Sequence, residues 1–223
     1  MLKSIDEYTE EWINEYLIPQ RPELVDTYRA AFEGYKHLSK GFTYDKESLE
    51  AILVAISSKS SVLADNSIRF ISETLPYIHE VREAVSNLLE DKRMHVRFNA
   101  LRTLSVETQR EFSLKLLSLG LQDPSYKVRK FASYISRIIK LVEIIPIMEK
   151  AYKLEKNPKA KTEIRYNLRL FRDGYCIKRF NNQGIPLLWI NTGDEGVHGI
   201  DIKITKIPYV IKLLPKMFKR NES

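Results

Sequence analysis

The sequence predicts a mainly α chain: an α-solenoid of about four helix pairs after two N-terminal helices, closed by a three-stranded antiparallel β-meander and a final helix. Three observations predict it. A two-letter echo returns as Ile68-Arg69, Val96-Arg97, Val128-Arg129 and Ile164-Arg165, at steps of 28, 32 and 36 residues. Helical-hairpin repeats have periods of about 30–47 residues, so this spacing belongs to stacked helix pairs. Short polar turns, Asp91, Asp123-Pro124 and Asn157-Pro158, punctuate the echo. At Gly174 the composition changes, and five of the eight glycines fall between 174 and 199, where hairpins replace helices.

The elements follow in order. Residues 5–17 and 22–38 read as two helices, with Pro22 suited to a first helical turn and Gly41 just past the second helix. First helices of the pairs are expected near 46–57, 77–90, 107–119 and 143–155. Second helices are expected near 61–74, 93–105, 125–140 and 160–172. Asp91, Asp123 and Asn157 sit where a side-chain oxygen caps a helix or starts a turn. Tyr175 to Phe180 and Ile185 to Thr192 read as strands around an Asn181-Asn182-Gln183-Gly184 turn. Ile200 to Thr205 alternates apolar and polar residues, the mark of a half-buried third strand. A last helix is expected from Pro208, carrying Val210, Ile211, Leu213, Leu214 and Phe218, with Pro215 to kink or end it. Two domains result: 1–173 helical, and 174–223 a small sheet plus helix packed on the last repeat.

The central copies align over more than two letters. Leu89, Asp91, Val96, Arg97, Ala100 and Leu104 correspond to Leu121, Asp123, Val128, Arg129, Ala132 and Ser136, all displaced by 32. The fourth copy keeps Asn157-Pro158 but needs two extra residues before Ile164-Arg165. An Asp-containing turn, then Val-Arg, then a small residue three positions on resembles the HEAT repeat, over roughly residues 46–173. The resemblance implies a right-handed α-solenoid whose second helices line a concave face. The valine of each copy is expected to pack in the stack. The arginine is expected to reach the turn acid of an adjacent repeat, giving a ladder of charge-assisted bonds among Asp91, Arg97, Asp123, Arg129 and Arg165.

Charge is distributed unevenly. The chain has a net charge of +7, and the second helices of the last three repeats hold fourteen bases and one acid, Glu163. The matching first helices hold nine acids and five bases, so one face of the stack is expected to be basic. A concave basic surface steers an acidic partner. Arg102, Lys130, Arg137, Arg169 and Arg172 are the expected contacts, with Arg favoured for its planar fork. The competing reading is a solvated charged face.

Little in the sequence suggests catalysis. His37, His79, His95 and His198 lack metal-ligand spacing, Cys176 is the single cysteine, and no Gly-rich phosphate loop opens a helix. No metal and no small-molecule cofactor is expected. Gly193 to Gly199 holds Asp194, Glu195 and His198, a set that suits acid–base work or a cation, or else simply a soluble hairpin tip. Alkyl-base DNA glycosylases built of HEAT-like repeats resemble this chain in length and basic groove. They place tryptophans and an Asp in the cleft, whereas Trp12 and Trp189 lie outside the repeats here, so no catalytic residue carries over. The acidic start, Asp6, Glu7, Glu10 and Glu11, is unlike a signal peptide, and no apolar run has the length of a membrane span, so a cytoplasmic location is expected.

These readings converge on a non-catalytic interaction protein that binds an acidic protein partner through a basic concave groove. A bacterial inhibitor or immunity protein is one specific variant. The alternative is a nucleic-acid-binding protein using the same groove for phosphates.

Overall fold

The computed structural model describes residues 5–180, 185–191 and 197–200, with side chains over 9–177 and 188–190. The described chain is mainly helical and ends in a small antiparallel sheet. It divides into two compact units, Met1–Phe112 and Ser113–Ser223, with the division inside a helix.

The first unit opens with α1 (Ile5–Trp12), a π-helical stretch (Ile13–Leu17) and α2 (Ile18–Gln20), which run on without a break. After a single turn led by Pro22 comes α3 (Val25–Ser39). Gly41 follows it at φ 75°, a left-handed conformation that glycine adopts without steric cost. Then come α4 (Lys46–Ile56), α5 (Ser61–Thr74), α6 (His79–Leu88) and α7 (Met94–Arg102). Asp45 caps α4 by accepting from the Ser48 N–H at 2.8 Å. The apolar faces of these helices converge, burying Ile13, Leu38, Ile52, Ile56, Ile71, Leu75, Val81 and Leu101.

α3 approaches α4 closely at Gly34. A methyl group added at Gly34 would lie 2.5 Å from the Ser48 carbonyl oxygen, which is backbone and cannot step aside. Gly34→Ala should therefore destabilise the chain by about 1–3 kcal/mol through overpacking, despite a helix-propensity gain of about 1 kcal/mol. Urea denaturation followed by far-UV circular dichroism measures this. An alanine variant as stable as the parent would remove the close-approach argument.

The second unit contains most of α8 (Arg110–Gly120), then α9 (Tyr126–Ile138), a 3-10 turn (Val142–Ile144), α10 (Ile145–Leu154) and α11 (Pro158–Arg172). α9 stops two residues earlier than the sequence suggests because Lys140 turns left-handed at φ 55°. The Leu141 N–H then donates to the Ser136 carbonyl and the Lys140 N–H to the Arg137 carbonyl, each at 3.1 Å, which satisfies the end of the helix. α11 packs on both α9 and α10 and carries the sheet on its far end. Leu116, Leu117, Val128, Leu141, Ile144, Met148 and Ile164 form this core.

Strand β1 (Tyr175–Phe180) pairs antiparallel with β2 (Ile185–Asn191), with Cys176 opposite Trp189. A short β3 (Val197–Ile200) pairs with the other edge of β2. It occupies residues read from sequence as a glycine-rich loop. The expected strand from Ile200 to Thr205 lies outside the described residues apart from Ile200, and the expected helix from Pro208 lies wholly outside them.

Candidate binding groove

The repeated turns come first, because they fix which residues of α7, α9 and α11 are equivalent. The residues that cap these helices are Arg93, Ser125 and Asn157, a spacing of 32 each time. Two residues upstream of each cap stands an acid. Asp91 accepts from the Arg93 N–H at 2.7 Å, Asp123 from the Ser125 N–H at 2.7 Å, and Glu155 from the Asn157 N–H at 2.8 Å. The turn acid of the last pair is therefore Glu155.

This register corrects the echo. Val96 and Val128 lie three positions past their caps, but Ile164 lies seven past Asn157, and Ile68 eight past Ser60. The true counterparts of Val96-Ala100 and Val128-Ala132 are Ala160 and Ile164, and all six are fully buried. Large and small residues exchange places across one helical turn, so the packed volume is nearly kept while the letters move.

The same register places the arginines of the expected ladder. Arg97 reaches back to its own turn, where Nη1 donates to the carbonyls of Asp91 at 2.8 Å and Lys92 at 3.1 Å. Arg129 repeats this on Asp123 at 2.6 Å and Pro124 at 2.9 Å. Its other edge makes a fork with Glu155, Nε at 2.7 Å and Nη2 at 2.8 Å. The guanidinium holds the Glu155 carboxyl below its ordinary range, and Arg93 likewise pulls Asp91 down to about 2. Arg165, out of register, stays exposed and lies over the Tyr166 ring.

The five expected partner contacts separate. Arg102 belongs to the first unit and is paired with Asp65 at 2.7 Å. Arg172 is paired with Asp173 at 2.7 Å and Glu149 at 3.3 Å. Lys130 and Arg169 are exposed. Arg137 is not a surface residue: it is only 8% exposed, and burial pushes its pKa down from the ordinary arginine range.

Arg137 sits in a hollow of about 340 Å³ between α9 and α11. Tyr134, Arg137 and Ile138 line it from α9, Glu163, Tyr166, Asn167 and Leu170 from α11, and Cys176 and Trp189 from the sheet. The Nε of Arg137 donates to Asn167 Oδ1 at 3.2 Å, and Asn167 in turn donates to Ser133 Oγ at 3.1 Å. The guanidinium also lies 5.2 Å from the centre of the Tyr134 ring, which is 43% exposed at the mouth. Lys130, Pro158, Lys159, Thr162 and Glu163 line a second, separate hollow. Sequence reading did not single out Asn167. The period of α11, with Glu163, Tyr166, Asn167 and Leu170 on one side, was the available signal.

The loop residues singled out from sequence fall largely outside the described residues. Asp194 and Glu195 lie outside the described residues, and of His198 only the backbone is described, opposite Ile190 in β3. Among the described residues no group of His, Cys, Asp and Glu is placed to hold a metal ion, and no helix is long and apolar enough to cross a membrane. No family model, no curated protein and no solved structure matches this chain, so its function has to be argued from its own residues.

Proposed function

We propose that the chain is a non-catalytic interaction protein, a right-handed solenoid of HEAT-like helix pairs, that binds an acidic protein partner through the basic side of α9 and α11. One observation carries this reading. Lys127 and Lys130 on α9 and Lys159, Arg165 and Arg169 on α11 are exposed, and among the described residues none has a carboxylate within ion-pair distance. Elsewhere the arginines are committed: Arg93 to Asp91, Arg102 to Asp65, Arg129 to Glu155, Arg172 to Asp173. Cations left unpaired on a folded surface keep their full attraction for an incoming negative patch and lose no internal partner on binding. Nucleic acid is the second reading, favoured by the exposed Tyr134 ring beside these cations, on which a base could stack.

The test is direct. The full chain is titrated with fluorescent polyglutamate and with single- and double-stranded DNA of equal charge, at two salt concentrations. Polyglutamate should bind at least as tightly as either DNA. The triple variant Lys130→Glu, Lys159→Glu, Arg169→Glu should lose about tenfold or more in affinity. Equal binding by parent and variant would dismiss this surface. DNA binding far tighter than polyglutamate, with a steep salt dependence, would move the assignment to nucleic acid.

A further inference from the structure

We infer that the hollow around Arg137 is a binding site for a monocarboxylate with an apolar or aromatic body. This is a different site from the exposed cations above and does not depend on them. Two features of the hollow carry the inference.

The first is the arginine itself. Its side chain is more than nine-tenths buried, its Nε is held by Asn167 and its face by Tyr134. Among the described residues no carboxylate lies within ion-pair distance of it, whereas the half-buried Arg129 has the buried Glu155. A buried charge without a counterion is costly, and natural chains pair it or use it. Arg137 is itself one of the residues that line the hollow. Donors fixed in a plane and open to a cavity match the two oxygens of one carboxylate.

The second is the lining. Tyr134, Tyr166, Trp189, Ile138 and Leu170 give walls of rings and aliphatic carbon around one cation. Sites for small ligands have this make-up, a largely apolar wall with few placed polar groups, and a volume of about 300–1,000 Å³.

Two sources share this chemistry, the terminal residue of a partner chain and a free aromatic or aliphatic acid. Isothermal titration of the full chain with N-acetyl-phenylalanine, its amide, 3-phenylpropionate and inorganic phosphate separates them. The two carboxylates should bind, the amide about tenfold or more weaker because the buried fork is left unmatched, and phosphate not at all. Tighter binding of the N-acetyl compound identifies a chain terminus, and tighter binding of 3-phenylpropionate a free acid. Arg137→Met should abolish binding while leaving Tm unchanged or raised, since an uncompensated buried charge is removed. Arg137→Lys keeps the charge without the fork and should bind about tenfold weaker. Equal affinity for acid and amide, or no binding of either carboxylate at millimolar concentration, would overturn the inference. So would a lowered Tm in Arg137→Met, which would make Arg137 a structural group.

Discussion

Glu155→Gln should destabilise the second unit by about 3 kcal/mol, the lower end of what breaking a buried ion pair costs. The Glu155 side chain is 1% exposed and accepts from Arg129 twice and from the Asn157 N–H once. Glutamine keeps the shape but turns one acceptor into a donor that faces the guanidinium. Arg129 stays charged, and its remaining bonds to the Asp123 and Pro124 carbonyls only partly compensate. That partial compensation places the cost at the lower end. The pH dependence has a definite sign. Arg129 holds the Glu155 carboxyl below 4.5, so its contribution is complete above that value and disappears as pH falls through the lowered folded value. The difference between parent and variant should be full near neutrality and should narrow steadily in the acid range below 4.5. Trp12 and Trp189 are the only tryptophans and fall in different units, so a Trp12→Phe background lets Trp189 fluorescence report the second unit alone. A parent and variant that unfold together at every pH would show that the fork carries no stability.

The helices were legible from sequence because their ends are written in local chemistry. The expected 61–74 helix is Ser61–Thr74, and the Asn157-Pro158 pair does start α11, with Asn157 Oδ1 accepting from the Lys159 and Ala160 N–H groups. Register was harder. Matching Ile164-Arg165 to Val128-Arg129 follows identity of letters, whereas the fold conserves the cap and the total volume behind it. The clue was present in Asp91, Asp123 and Glu155, evenly spaced by 32, but Glu155 reads as one more acid on a charged helix. The Arg137 hollow was not legible at all. Its walls come from two helices and two strands, and nothing in the neighbourhood of Arg137 tells that Cys176 and Trp189 will close over it. A charge count places Arg137 with Lys130, yet one is buried and the other exposed.

Ile164 and Arg165, adjacent in the echo, should separate completely in a stability experiment. Ile164 is fully buried and takes the place that Ala132 takes in α9, so truncation to alanine leaves a cavity opposite Ala160, which is too small to fill it. Ile164→Ala should cost about 2–5 kcal/mol. Arg165 is exposed over Tyr166 and caps no turn, so Arg165→Ala should stay within about 0.5 kcal/mol of the parent. The register makes a further distinction among the arginines. Arg97→Ala removes two bonds to its own turn carbonyls and should cost about 1–3 kcal/mol. Arg129→Ala removes the same two and also strands the buried Glu155 carboxylate, so it should cost about 3–5 kcal/mol. Arg97 and Arg129 each costing more than Arg165 is what cap-based equivalence demands. If the four echoes were equivalent by letter, Arg165→Ala would cost as much as Arg97→Ala, and that equality in urea denaturation would restore the echo and refute the 32-residue register.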